Sequence, residues 1–225
     1  MGLQIQGNGG TIAEVGGTTF RSLNTQMKPI EYGALGHYRT AVRIVLTAAQ
    51  AANSRLFEIR NNHASNLIIP TRLNIRVMQI AAGTAQENAI NVFKWTGVAA
   101  VDTTNTVTPV SSVKRTTEMA AYPGTSAQVR HLTLAGAAAG MTGGFAATKD
   151  TQAFFIGPFW VNTAVPTAPA PNIPYYYDVF DDVNGTHPFA LKQSEGLTVE
   201  NSILNVTTYG MIVYIDFAWA DVAAF

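Results

Sequence analysis

The stretch Met211-Ile-Val-Tyr-Ile-Asp-Phe-Ala-Trp-Ala-Asp221 repeats with a period of two. Met211, Val213, Ile215, Phe217 and Trp219 share one face, with Ile212, Tyr214, Asp216 and Ala218 opposite them. That period belongs to an extended strand, whose successive side chains point to opposite sides of a sheet. Both sides are apolar near Ile212–Tyr214, as in a central strand covered by a second layer. Asp216 and Asp221 are expected to return to solvent.

Shorter segments upstream carry the same pattern. Tyr38–Thr47 is rich in β-branched residues, with Val42 and Ile44 on one side and Arg43 and Val45 on the other. In Arg55–Arg60, Leu56 and Glu58 alternate with Phe57 and Ile59. Pro70 argues against a central strand at that point, but beyond it Leu73, Ile75 and Val77 oppose Arg72, Asn74 and Arg76. Further strands are expected over Ala89–Thr96, Val129–Leu134, Ala153–Val161, Leu197–Glu200 and Ile203–Thr207, with Pro158 breaking the aromatic Ala153–Val161 segment or marking an edge. Ala48–Ser54 reads as one or two helical turns or as a turn at Asn53–Ser54, and Val98–Val113 as a long loop or irregular edge hairpin. No amphipathic helix of three turns is present. Many short strands joined by Gly-, Pro- and Asn-rich loops predict an all-β, antiparallel β-sandwich. Residues 1–17 read as a flexible Gly-rich arm. Residues 18–225 read as a single sandwich domain with a Pro-rich loop at 165–174.

The chain has 225 residues, of which 14 are Lys or Arg, 14 are Asp or Glu and none is Cys. Charged residues make up 12%, against roughly 25% in an ordinary soluble domain. Without Cys there is no disulfide scaffold, thiolate nucleophile or Cys-ligated zinc. No apolar run approaches the ~20 residues that cross a bilayer, and no basic-then-apolar leader is visible. A chain so poor in charge either covers itself with Thr, Asn, Gln, Ser and Ala or buries much of its surface against neighbours; the second is favoured. Basic residues predominate before Asp150, whereas Lys192 is the sole basic residue after it. The two halves either interleave and pair their charges in one fold or form a dipolar subunit. No dense Lys/Arg cluster with interleaved aromatics favours nucleic acid.

Catalytic and metal chemistry find little footing. His37, His63, His131 and His187 form no ligand-spaced pair, and Tyr177–Asp182 lacks the spacing of a calcium loop. There is no G-x-S-x-G, phosphate loop or H-E-x-x-H. Asp178 with Asp181 or Asp182 is the one cheap carboxylate pair for glycoside cleavage. Tyr175, Tyr176 and Tyr177 suit either a sugar platform or packing at a sheet edge or subunit contact. The expectation is a protein with no catalytic residue, metal or cofactor. Its contacts with a partner protein or between subunits fall to Leu3, Ile5, Arg43, Arg72, Arg76, Tyr175, Tyr176 and Tyr177.

Several stretches resemble structural proteins of tailed bacteriophages: Ala48–Asn61 with its Phe-x-x-Arg-Asn ending, Arg72–Val77, Lys114-Arg-Thr-Thr-Glu-Met119, Asp178–Phe189, Glu195–Asn201 and the terminal strand Val213–Val222. The resemblance spans roughly residues 35–222 and rests on the order of these stretches. It implies a jelly-roll-like sandwich in the virion. More finely, it implies a capsid decoration or cement protein that sits as a trimer on the capsid surface after synthesis in the host cytoplasm. Such a protein binds the major capsid protein and has no direct nucleic-acid or membrane partner. Similar folds also serve in baseplates, tail fibres and head fibres, and as carbohydrate- or receptor-binding modules.

Overall fold

Every regular element described in the computed structural model is a β-strand. The described residues are 36–46, 50–104, 106–108, 113–114, 127–133, 140–141, 147–164, 174–180, 189–202 and 210–223, plus four two-residue strands nearer the N-terminus. Leu3, the Pro-rich loop apart from Pro174, Asp181, Asp182 and the Ile203–Thr207 segment lie outside them.

The chain divides into two units, Met1–Gly33 and Ala34–Phe225. In the first, β1 (Ile5–Gln6) pairs antiparallel with β2 (Ile12–Ala13), and β3 (Val15–Gly16) with β4 (Ser22–Leu23). The second holds β5 (Gly36–Leu46), β6 (Ser54–Asn61), β7 (Asn66–Gln79), β8 (Gln86–Thr96), β9 (Thr106–Val107) and β10 (Val113–Lys114). It continues with β11 (Ala127–Leu132), β12 (Thr148–Lys149), β13 (Phe155–Val161), β14 (Tyr175–Asp178), β15 (Gly196–Asn201) and β16 (Met211–Ala223).

These strands form two antiparallel sheets. One runs β10-β5-β16-β7-β14; the other runs β12-β8-β15-β6-β11-β9, with β13 also on β8. Setting aside β9–β12, which belong to the chain between β8 and β13, leaves eight: β5, β6, β7, β8, β13, β14, β15 and β16. The first of these pairs with the last, the second with the seventh, the third with the sixth and the fourth with the fifth. A long antiparallel hairpin rolled into two sheets has this pairing, so the fold is a jelly roll.

The inward faces meet in one apolar core. Phe217 of β16 lies 5.9 Å from Phe57 of the opposite sheet and 5.4 Å from Trp219, which stacks on Tyr38 at 5.7 Å. Three local expectations are corrected. Pro70 lies inside central strand β7, opposite Trp219, where the β7–β16 register shifts; a bulge is where a sheet tolerates a residue without an N–H. Leu56 joins Phe57 and Ile59 in the core, because a register shift on β6 also turns Arg55 to the side of Glu58. Asp221 is buried, since β16 runs on to Ala223 between β5 and β7. Burial pushes its carboxyl pKa up, although Asn66 donates to it at 3.4 Å. In the 48–54 segment, residues 52 and 53 form a turn, with Asn53 at φ 58°.

Candidate interaction surface

The outer face of the β5-β16-β7-β14 sheet follows from alternation. Residues at odd positions of β5, and even positions of β16 and of β7 from Arg72 onward, past the bulge, point away from the core, so Arg39, Arg43, Arg72 and Arg76 share one surface. Register then places them in rows. Arg43 and Arg76 flank Tyr214, with Tyr176 beyond Arg76; Arg39 and Arg72 flank Ala218. Asp216 lies between the rows and takes a bidentate grip from Arg39, at 2.7 Å on each oxygen, with Arg72 at 3.1 Å. The hydrogen bond to Asp216, and then its charge, push the Arg39 pKa up.

Arg72 also braces Asn74. In the amide orientation that satisfies every neighbour, the Asn74 oxygen accepts from Tyr176 at 2.5 Å and from Arg72 at 3.1 and 3.2 Å, and its nitrogen donates to Asp178 at 3.0 Å. Arg76 sits 5.3 Å from the Tyr176 ring centre. Among the described residues no carboxylate pairs with Arg43 or Arg76. A concavity of about 430 Å³ opens on this face, lined among others by Arg39, Arg76, Tyr214, Asp216 and Pro174.

A second surface lies along β13. Phe155, Phe159 and Val161 turn into the core, so Ile156, Pro158 and Trp160 turn out. Ile156 is 60% and Trp160 52% exposed. Glu87, also exposed, stands opposite Trp160 in register. The rings of Tyr177 and Tyr175 close the sandwich edge against Phe155 (5.7 Å) and Phe159 (6.1 Å), and the Tyr177 hydroxyl donates to the Pro158 carbonyl. Burial first, and Tyr175 second, push the Tyr177 pKa up to about 12.

A buried ionic cluster occupies the outer face of the other sheet. Arg55 bridges Glu58 (3.1 Å) and Asp102 (3.3 Å) and donates to the Met141 carbonyl (3.2 Å). The Asp102 N–H donates to Glu58 at 2.6 Å. This cluster ties the chain between β8 and β13 down onto β6. Burial pushes the Glu58 pKa up to about 7 against the opposing pull of the Asp102 N–H and of Arg55. Nearby, Glu200 takes Lys149 at 3.0 Å and the Thr198 hydroxyl at 2.8 Å.

Arg43, Arg72 and Arg76 therefore come together on one face. Tyr176 joins them, while Tyr175 and Tyr177 turn toward β13. Ile5 falls in β1, opposite Ala13. Cations of the first half pair with acids of the second in Arg39–Asp216, Lys94–Glu195 and Lys149–Glu200, as interleaving halves would. From the sequence, neither Tyr214 nor Trp160 is named as a contact residue, and Asp216 is placed in solvent without a link to Arg39 or Arg72. The alternation at Arg39-Thr-Ala-Val-Arg43 was a signal for Arg39, but nothing local linked Asp102 to Arg55. Among the described residues no group of three or more His, Cys, Asp or Glu is placed to hold a metal ion.

No protein-family model matches the sequence, and no curated protein matches it. A solved structure of turnip yellow mosaic virus at 100 K aligns with 84% of this chain and 94% of its own, at 8% identity and a TM-score of 0.24. A superposition that loose adds nothing to the strand order described above.

Proposed function

We propose that this chain is a non-enzymatic structural protein of a virus particle, working through its surfaces. More finely, it is a capsid decoration or cement protein that binds the major capsid protein of a tailed phage, as a trimer on the capsid surface, and braces the head. The observation that carries the reading is the ordered Arg–Tyr face of the β5-β16-β7-β14 sheet, on a jelly roll whose core is filled with side chains. Jelly rolls recur in viral shells, and Arg and Tyr are the residues that most often anchor protein contacts. Arg43, Arg72 and Arg76 make shell or subunit contacts, as do Leu3, Ile5 and Tyr175–Tyr177. Many copies turn weak contacts into firm attachment.

The test is where the protein lies in intact particles. Density over the capsomers is expected, with occupancy reduced by Arg72→Glu with Arg76→Glu. Density confined to a tail vertex replaces the cement role with a baseplate or fibre role, and absence from particles removes the virion reading. Exposed Trp160, Tyr175 and Tyr176 favour one second reading, a carbohydrate- or receptor-binding module. That reading requires glycan binding by the purified protein, lost on replacing Tyr175–Tyr177 with Ala.

A further inference from the structure

Two surfaces of the jelly roll complement each other in charge, chemistry and spacing. On one, the row Arg43–Tyr214–Arg76 crosses three neighbouring strands. On the other, the row Glu87–Trp160 crosses two. Strands in any sheet lie about 4.8 Å apart, so the rows share one spacing. Setting the Trp160 ring over Tyr214 brings Glu87 over Arg43 or Arg76. Those guanidinium groups have no carboxylate partner among the described residues, and Glu87 has no cation partner among them.

The geometry points to a head-to-tail contact between copies of this chain, in which the Glu87–Trp160 edge of one seats on the Arg43–Tyr214–Arg76 face of the next. This rests on the proposed assembly role and names the partner of that face. Charge selects the arrangement: matching either surface with itself opposes like charges, whereas matching one with the other pairs carboxylate with guanidinium. Trp160 and Tyr214 supply the apolar centre, and Arg43 can also stack on the indole. Asp216 and Asp178 on the arginine face work against a polyanion such as DNA, which meets no such carboxylates on a dense basic patch. Pro158 brings no N–H for a further strand, so the contact runs through side chains rather than by extending a sheet. The two surfaces look out from opposite sheets, and a contact between unlike patches closes into a ring where the rotation allows.

Charge exchange tests this in the full-length protein. Sedimentation of the wild type should give a mass of three or more chains. Glu87→Arg alone, and Arg43→Glu with Arg76→Glu alone, should each weaken association about tenfold or more. Combining all three substitutions in one chain should restore it, because every edge then meets a face of the opposite charge whatever the number of copies in the ring; this restoration also shows that the substituted chain is folded. A wild type that stays monomeric overturns the inference, as do variants that assemble like wild type or a triple variant that keeps the wild-type circular dichroism yet stays apart. So does an arginine face that retains single-stranded DNA in place of a second copy. Particle location is read separately. A monomer found on capsids sinks the self-contact and the trimer but leaves the virion role, whereas an oligomer absent from particles sinks the virion role alone.

Discussion

At the scale of single residues, Glu58 is the most consequential charge in the protein. Its side chain is fully buried, held by Arg55 and the Asp102 N–H, and its pKa is raised from about 4.5 to about 7. Arg130 also lowers it and the Asp102 carboxylate raises it, but burial dominates. The folded protein thus keeps this proton across a window in which the unfolded chain has released it. The folded state binds more protons there, so the contribution of Glu58 to stability is fully present below about pH 4.5 and is lost as pH rises through 7. A shift of that size corresponds to roughly 3 kcal/mol. Thermal melts should show the wild type losing several degrees between pH 5 and pH 8, relative to Glu58→Gln over the same range. Parallel curves for the two proteins would mean that Arg55 keeps Glu58 ionised throughout. None of this was legible in the sequence, where Glu58 reads as an alternating outward residue of an amphipathic strand. Its burial comes from a loop residue 44 positions away.

Strand by strand, legibility tracked how local the cause was. The faces of β5 and the inward face of β16 were readable because alternation is written into adjacent residues, and so was the placement of Arg72, Asn74 and Arg76 opposite Leu73, Ile75 and Val77; the outer side of β16 at Tyr214, expected beneath a second layer, is open instead. Pro70 misled because a bulge is a property of two strands and not of one. Asp221 misled because the far end of β16 is enclosed by β5 and β7, whose nearest residues there are Gly36 and Ile68. The arginine surface was half legible: parity gave the side of each strand, but register between strands was needed to bring Arg43 and Arg76 around Tyr214. The two faces of β16 therefore differ sharply in what they tolerate. Phe217→Ala empties a fully buried site between Phe57 and Trp219 and should cost about 3–5 kcal/mol in urea unfolding. Tyr214→Ala, at an outward site 36% exposed, should move stability of the unassembled chain by no more than about 0.5 kcal/mol. Equal losses at both positions would contradict the assigned faces.

For the whole molecule, the decisive link joins strands far apart in sequence. β5 and β16 pair from Gly36–Asp221 to Leu46–Met211, and β16 also pairs along β7. Removing β16 takes the centre out of one sheet: β5 and β7 each lose their shared partner, and Phe57 and Tyr38 lose the rings they pack on. A chain ending at Gly210 is therefore expected to show no cooperative melt and no native near-ultraviolet signal. Met1–Gly33 is a unit of its own whose described strands pair among themselves, and the jelly roll begins with Gly36. A chain starting at Ala34 should keep the strand signature in circular dichroism and a single cooperative transition, since all eight jelly-roll strands and the core remain. If that shorter chain failed to fold while the one lacking β16 folded, the stability of the sandwich would have to come from its N-terminal unit. Pairing the ends of so long a hairpin also makes folding slow, in the millisecond-to-second range typical of non-local β topologies, and the Ala34 chain should retain that rate because none of its pairing partners has been removed.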